Sequence, residues 1–413
     1  MDEHKTPIKR PRPKMGHTDH TVRRRALTGA AGVALLGGLV ALPTTGAVAD
    51  SGRAAPEAGP PSYKVLASGL NNPRHLSLSH GALYVAESGT GGDGPCITNS
   101  EGSRVCYGAT GSITKVTPFW PHWRQQRVVT GLPSLAGPDG GQATGPSDVE
   151  VKGRYGYVVS TGLGAPPAAR QGLGPAGPTF GALLEGRFAH PRTWFHLGRQ
   201  HRGPQRDGWR VLADIAGHEA VTNPIDGPDS NPASVLRRGS HYVVADAGGN
   251  TVVAANRRGG VRTLAAFPDG LDQPPSRNFM QFVPTSAVIG PDGALYVSQL
   301  TGFPFPQGGS KIYRVAPGHA PQVYATGLTN VTDLAFGQDG CLYAVQISSA
   351  GLASGGPPIG AVVKVARNGH GSNTVIADGL FAPYGIAVAW NSAFVTTGGV
   401  LAGGGQVIQI PLN

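Results

Sequence analysis

The chain has 413 residues, of which 64 are glycine and only 14% are Asp, Glu, Lys or Arg. Its formal net charge is +10, but residues 1–49 carry eight Lys or Arg against three Asp or Glu, so the remainder keeps 26 basic and 21 acidic side chains. This small excess gives no ground for nucleic-acid binding. The glycine content is typical of many turns and few exposed helices, and we therefore expect an all-β protein.

Residues 1–49 are typical of an export signal. Arg23, Arg24 and Arg25 precede a weakly apolar run, ALTGAAGVALLGGLVAL, and the small-residue sequence AVAD then predicts cleavage after Ala49. A twin-arginine leader of this kind suits a protein that is exported after folding. The alternative is a retained membrane anchor, for which this run of 17 residues is short, because a span needs ~20 apolar residues.

Residues 50–62, rich in proline and small polar residues, predict a flexible linker. The first strand follows as YKVLASGL, from Tyr63 to Leu70, and no partner strand precedes it. Similar segments recur downstream as QRVVTGL, QVYATGL and NTVIADGL. A segment that recurs at long intervals indicates a repeat whose copies occupy equivalent places.

Six triplets of short strands fill the rest of the chain. A triplet begins with an inner strand such as NPRHLSLSHG, turns through a tight hairpin into a second strand such as ALYVAES, and ends with a third strand such as GSITKV. Five connecting strands lie between the triplets, so the last triplet lacks a fourth strand that Tyr63–Leu70 would supply. The sequence thus predicts a six-bladed β-propeller over residues 63–413, closed by the N-terminal strand joining the last blade. A β-sandwich or an open solenoid would not explain the displaced strand.

Polar residues recur where second strands end and inner strands begin, which in a propeller is one rim of the central channel. We predict that they line a ligand-binding funnel. The candidates are Arg74, His75, Glu87, Asp148, Asp246, Gln299, Asp333, Gln346 and Tyr384. Ser160 and Thr397 hold the matching strand ends of the other two repeats. The alternative is that such side chains only satisfy neighbouring backbone N–H groups.

The charges of these candidates allow two kinds of ligand. The carboxylates, from four different blades, could together hold Ca²⁺ or another divalent cation across the channel: Glu87, Asp148, Asp246 and Asp333. They could equally form a ring of hydrogen-bonded acids. If the funnel binds an anion, Arg74 and His75 are the basic groups placed to meet it. No nucleophile elbow, phosphate loop or cofactor fingerprint occurs, so no residue is predicted to be catalytic.

Two insertions interrupt the blades. The first, residues 89–111, contains Cys96 and Cys106, which in an exported chain predict a local disulfide. The remaining cysteine, Cys341, opens a strand and is predicted to be a buried thiol. The second insertion begins after Glu185 and combines arginines with aromatic residues. Such a segment can bind an anionic polymer, but we interpret it as a solvated surface flap.

Longer motifs, including GALYVAESGTGGDGPC and VPTSAVIGPDGALYVSQLTGFPFP, resemble the ScyD/ScyE family of predicted exported propellers. The resemblance extends over Tyr63–Asn413, and the Arg-rich insertion departs from it. ADAGGN is similar to NHL-type repeats, and the repeats resemble the regucalcin-like lactonases more distantly. The first resemblance implies an exported propeller without catalytic residues that could be transferred to this sequence.

We expect a binding or scaffold protein for an extracytoplasmic small molecule, glycan or protein, secreted or held in the cell envelope. The alternative is a metal-assisted hydrolase of lactonase or esterase type, in which a bound cation and Glu87 or Asp148 activate water. We also expect a monomer with no nucleic-acid partner and, after cleavage of the leader, no membrane partner.

Overall fold

The computed structural model describes residues 63–189, 208–223, 227–268, 280–366 and 371–412. The predicted leader, the linker and most of the Arg-rich insertion lie outside the described residues. Within the described ranges, no helix has the length and apolar character needed to cross a membrane.

The strands form six antiparallel sheets, and the predicted six-bladed β-propeller is confirmed. The first strand is β1 (Lys64–Leu70). Blade 1 contains β2 (Pro73–Ser79), β3 (Ala82–Glu87), the short β4 (Cys96–Thr98), β5 (Arg104–Phe119) and β6 (His122–Ala136). Blade 2 contains β7 (Pro146–Lys152), β8 (Gly156–Thr161), β9 (Ala182–Arg187) and β10 (Arg210–Asp214). Blade 3 contains β11 (Pro232–Arg238), β12 (His241–Asp246), β13 (Thr251–Asn256) and β14 (Val261–Ala266).

The second half of the chain repeats this plan. Blade 4 contains β15 (Pro284–Ile289), β16 (Leu295–Gln299), β17 (Ser310–Val315) and β18 (Gln322–Leu328). Blade 5 contains β19 (Val331–Phe336), β20 (Leu342–Gln346), β21 (Ile359–Lys364) and β22 (Thr374–Phe381). Blade 6 contains β23 (Ile386–Ala389), β24 (Ser392–Thr397) and β25 (Gly405–Pro411), and β1 is its outer strand. The pairing of β1 with β25 runs from Lys64 opposite Gln409 to Leu70 opposite Gly405.

Helical structure is confined to blade 2 among the described residues. A 3-10 segment, Pro167–Thr179, lies between β8 and β9, and α1 (Ile215–Thr222) follows β10. The side chain of Asp214 caps α1 by accepting a hydrogen bond from the Gly217 backbone N–H, which would otherwise lack a helical partner.

The hydrophobic core lies between neighbouring blades. Alternate residues of each strand point to the same face of its sheet. The faces of neighbouring sheets that oppose each other therefore share clusters of buried aliphatic and aromatic side chains. The cluster between blades 6 and 1 joins Leu66 and Leu70 of β1 to Leu83 of β3 and Phe394 of β24. The first strand therefore packs against both the first and the last blade.

The first insertion contains a hairpin that the sequence did not reveal. Strand β5 begins within the insertion at Arg104 and pairs with β4. Cys96 and Cys106 face each other in this pairing and form a disulfide with an S–S distance of 2.07 Å, so the predicted pairing is confirmed. Cys341 is buried and forms no disulfide, as predicted.

The packing of β1 gives a testable prediction. Deleting residues 50–70 removes the buried side chains of Leu66 and Leu70 and exposes the edge of β25, so we expect lower solubility and a clearly lower melting temperature. Deleting residues 50–60, which precede the strand, is the control and should leave the melting temperature unchanged. Equal melting temperatures of the two deletions in calorimetry would contradict this role of β1.

Candidate functional site

A funnel-shaped cavity of about 580 Å³ opens on the propeller axis, on the side where the inner strands begin. We call this side the upper face. One residue from the start of the inner strand of every blade lines the cavity: Arg74, Ser147, Ala233, Thr285, Thr332 and Tyr384. A second layer comes from the residues that directly follow the second strands: Ser88, Gly162, Ala247, Leu300 and Ile347. The repeat thus places equivalent positions around one cavity.

The wall of the funnel has a polar half and an apolar half. Blades 1 to 3 contribute mainly hydroxyl and amide groups, including Ser88, Thr144 and Asn231. Blades 4 to 6 contribute Thr285 and Thr332 from their inner strands, but most of their wall is apolar. Leu300, Ile347, Leu352 and Val400 pack there together with the Tyr384 ring. A ligand that fills the cavity would therefore contact hydrogen-bonding groups on one side and mainly aliphatic and aromatic side chains on the other.

Arg74 lies where the two halves meet. Its guanidinium is 4.6 Å from the centre of the Tyr384 ring, in cation–π geometry. Its Nη2 donates to the carbonyl of Ala143 at 2.8 Å, and its Nε donates to the hydroxyl of Ser88 at 3.3 Å. These contacts fix the group, while Nη1 has no hydrogen-bond partner within the described residues. Arg74 can therefore offer an oxyanion donors that are already oriented.

The disulfide hairpin forms part of the funnel mouth. Residues 99–101 and 103–105 of its tip line the cavity beside Asp229. Ser100 donates from its hydroxyl to Asp229 Oδ2 at 2.6 Å and from its backbone N–H to the carbonyl of Gly164 at 2.8 Å. The hairpin of blade 1 is thus attached to loops of blades 2 and 3.

The predicted candidates at the second-strand ends point away from the funnel. Glu87 is fully buried, accepts from the Asn71 backbone N–H at 2.8 Å, and pairs with Arg127 at 2.8 Å. Asp246 accepts from the Asn231 backbone N–H at 2.6 Å, and Gln346 Oε1 accepts from that of Thr329 at 2.6 Å. These side chains hold the loops that enter the inner strands, which was the alternative interpretation of the pattern.

The residues that face the funnel lie one position after those that we predicted. Successive residues of a strand point to opposite faces, so the side chain after each predicted candidate, such as Ser88 after Glu87, faces the funnel instead. In blade 2 the strand pairing also places Thr161, not Ser160, opposite the first residue of the inner strand. Gln299, at the position of blade 4 that corresponds to Glu87, is also buried. Its Oε1 has no hydrogen-bond partner among the described residues.

His75 occupies the inner strand one residue below Arg74 and is turned into the scaffold. Its Nδ1 is 3.1 Å from the carbonyl oxygen of Ser147, and its Nε2 is 3.1 Å from that of Thr332. Carbonyl oxygens only accept hydrogen bonds, so both contacts are satisfied when the imidazole carries two protons. Burial alone would lower the pKa of His75, but the nearby carboxylates of Asp333 and Asp148 raise it above its usual value. His75 thus joins blade 1 to blades 2 and 5.

The carboxylates of Asp148 and Asp333 lie near the His75 imidazole. Burial raises the pKa of Asp148 to about 6, although the charge of His75 opposes the shift. Burial also raises the pKa of Asp333, again against His75. Asp148 Oδ2 accepts from the Val235 backbone N–H at 2.8 Å, and Asp333 Oδ2 accepts from that of Ile386 at 2.8 Å. These carboxylates connect neighbouring inner strands.

The four carboxylates predicted as calcium ligands do not fit one cation. Glu87 and Asp246 are enclosed within their own blades, whereas Asp148 and Asp333 flank His75. In the part of the chain that the structure describes, no group of three or more His, Cys, Asp or Glu side chains is arranged to hold a metal ion. Of the predicted candidates, the structure brings only Arg74 and Tyr384 to the funnel wall.

Comparison with known proteins gives likenesses in structure only. No family model matches the chain, and no curated protein matches it in sequence. A luciferin-regenerating enzyme is similar with a TM-score of 0.48 and 8% identity, covering 84% of this chain and 94% of its own. Virginiamycin B lyase from Staphylococcus aureus is similar with a TM-score of 0.42 and 10% identity, covering 85% and 99%. The WD40 β-propeller domain of Doa1 has a TM-score of 0.39 and 8% identity, covering 84% and 96%. At these scores the likenesses carry no argument about activity.

The burial of Asp246 predicts a pH dependence of stability. Burial raises its pKa to about 6, partly offset by hydrogen bonds from Asn231 and Ser230. The folded state therefore binds this proton more tightly than the unfolded state, whose aspartates titrate near ~4. The contribution of Asp246 to the free energy of unfolding, on the order of 3 kcal/mol, should be fully present below pH ~4 and should be lost as the pH rises through about 6.

Exchanging Asp246→Asn should remove this loss, because the amide oxygen can still accept from the Asn231 N–H. Urea unfolding of the wild type and the variant at pH values from 4 to 7 isolates the contribution, since all other titrating groups are common to both proteins. Parallel pH profiles of the two proteins would show that Asp246 does not titrate in this range.

Proposed function

We propose that this protein is an exported binding protein that holds a small amphipathic molecule with one anionic group in its axial funnel. The observation that supports the proposal most strongly is Arg74, fixed over the Tyr384 ring at 4.6 Å with Nη1 free of protein partners in the described structure. A guanidinium in this state forms strong, directional hydrogen bonds with a carboxylate or a similar oxyanion.

The remaining wall favours an organic anion of moderate size. A cavity of about 580 Å³ lies in the range of small-molecule sites, which is roughly 300–1,000 Å³, and is too confined for a folded partner. Tyr384 and Ser147 also line the cavity, and each carries a hydroxyl group that suits a polar substituent. Leu300, Ile347 and Leu352 offer a surface to an aromatic or aliphatic portion.

The charges at the mouth favour a ligand with a single negative charge. Glu101, Asp139 and Asp229 line the cavity near its entrance, whereas Arg104 is the one cation contributed there by the described residues. A polyanion would leave part of its charge beside these carboxylates, where like charges repel. A monoanion can place its only charge at Arg74.

Export is part of this proposal. The Cys96–Cys106 disulfide is of the kind that persists in oxidising compartments, and the leader sequence supports passage across a membrane. The resemblance to the ScyD/ScyE family leads to the same expectation. The alternative, a metal-assisted hydrolase, would need a ligand set that the described side chains do not form.

The proposal is tested with organic acids and their amides. We expect aromatic and aliphatic monocarboxylates, such as 4-hydroxyphenylacetate, to bind more tightly than the matching uncharged amides in isothermal titration calorimetry. Exchanging Arg74→Gln should lower the affinity for the acids roughly 10- to 100-fold, the usual value of a charged hydrogen bond, and should leave the amides unaffected.

Arg104→Gln is the matched control, because it removes the same charge from the mouth of the same cavity. It should change the affinity for the acids less than threefold, since an exposed charge acts through solvent. Equal binding of acids and amides by the wild type, or an equal effect of the two arginine variants, would contradict the proposed site. Native mass spectrometry of protein purified from its host would identify a retained ligand.

A further inference from the structure

The lower face, opposite the funnel, is acid-free where blades 1 and 6 meet. Segments 63–86, 104–136 and 382–412, which form most of these blades, contain no Asp or Glu. The carboxylate at the end of β3, Glu87, lies near the upper face and is paired with Arg127. Of the cations in these segments that have no ion-pair partner within the described residues, Arg74 and Arg104 line the funnel. The other three are Lys64, Lys115 and Arg124. The region is thus a cationic sector in a chain of mild overall charge.

An aromatic hairpin tip projects from this sector. The last pair between β3 and β5 joins Leu83 to Val116, but β5 and β6 continue to the pair formed by Phe119 and His122. At about 3.4 Å per residue, the three residues from Val116 to Phe119 extend the hairpin roughly 10 Å beyond this last pair. Phe119 is 67% exposed and Trp120 is 95% exposed, so large apolar surfaces lie in water at its end.

A second tryptophan lies in the neighbouring blade. Trp390 is 54% exposed at the turn between β23 and β24, where both Trp390 and Asn391 have the positive φ of a two-residue hairpin turn. Phe394 is buried between the two blades, with its ring centre 5.8 Å from that of Trp390 and 6.0 Å from that of Trp123. The exposed ring of Trp390 is therefore supported by a packed aromatic layer.

The cations surround this apolar end. Lys64 begins β1 at the lower edge of blade 6, and Arg124 is exposed on β6 four residues after Trp120. The Lys115 amino group lies 5.5 Å from the centre of the Tyr84 ring on the same blade. Positive charge thus lies behind a protruding tip of Phe and Trp.

We propose that a surface made of this tip, Trp390 and the three cations docks the propeller on an anionic lipid bilayer. Its residues are Phe119, Trp120 and Trp390 with Lys64, Lys115 and Arg124. Tryptophan and phenylalanine favour the boundary between headgroups and acyl chains, and Lys and Arg favour the lipid phosphates beside it. A protruding tip suits insertion into a soft surface, whereas a polysaccharide or a single-stranded nucleic acid is held in grooves lined with aromatic platforms.

The path of the chain agrees with this orientation. Tyr63, the first described residue, lies beside Lys64 at the lower edge of blade 6, so the chain enters the propeller on the docking side. Docking here leaves the funnel on the upper face open, and the inference does not depend on which ligand the funnel takes. It departs from our expectation, drawn from overall charge, that the cleaved protein has no membrane partner.

Vesicle co-sedimentation of the full chain tests the proposal. The probes are phosphatidylcholine vesicles with and without 30% phosphatidylglycerol. We expect tighter binding to the anionic vesicles, and the double variant Phe119→Ala/Trp120→Ala should bind them at least tenfold more weakly, because two apolar side chains no longer enter the bilayer. Lys64→Gln and Arg124→Gln should each weaken binding about fivefold, and only when phosphatidylglycerol is present.

Phe303→Ala is the matched control, because Phe303 is also 67% exposed but belongs to the loop after β16, on the upper face. It should bind like the wild type. All variants share residues 1–62, so any contribution of that segment is common to them. Thermal unfolding establishes that the exposed substitutions leave the fold intact, and Trp120→Phe, which keeps an aromatic tip, should retain most of the binding.

Several outcomes would overturn the proposal. Failure of the full chain to bind either vesicle, or equal binding to both, would remove its electrostatic basis. An equal loss in Phe303→Ala would show non-specific adsorption of exposed aromatic rings. Tip-dependent binding of dextran sulfate without binding of vesicles would assign the surface to an anionic polysaccharide instead.

Discussion

The pairing of β1 with β25 is the contact on which the arrangement of the molecule depends, because it places both ends of the described chain in one sheet. Leu66 and Leu70 then fill the space between the last blade and the first. One result is that Arg74, from the first inner strand, meets Tyr384, from the last. The cation–π pair in the funnel and the cationic sector on the lower face both join residues that are more than 250 positions apart.

A glycine lets the inner strands of blades 6 and 1 approach each other closely. A Cβ on Gly385 would lie 2.6 Å from Cα of His75, so any other residue would force these strands apart. Gly385 also leaves its place in the inner ring without a side chain. His75 can therefore reach past blade 6 to the carbonyl of Thr332 on blade 5. The charged centre of the propeller thus depends on a residue without a side chain.

The blades could be predicted from the sequence because each is a local unit, with strands, turn residues and spacing that recur. The direction in which a single side chain points could not be predicted, because a shift of one residue exchanges the two faces of a strand. Glu87 and Asp246 were predicted at the rim for this reason, although Ser88 and Ala247 line it. The acid-free sector was missed because its three segments are separate in sequence and meet only in the folded ring.

The disulfide hairpin makes the polar half of the funnel wall more rigid than the apolar half. Its tip bonds to Gly164 and Asp229, and Gly164 in turn donates to the carbonyl of Ser230, so the upper edges of blades 1, 2 and 3 form one hydrogen-bonded frame. The facing wall relies on the packing of Leu300, Ile347, Leu352 and Val400, whose aliphatic rotamers can change without breaking a hydrogen bond. Ligands of different bulk would therefore be accommodated by repacking on the apolar side, while the polar side keeps its geometry and sets their orientation.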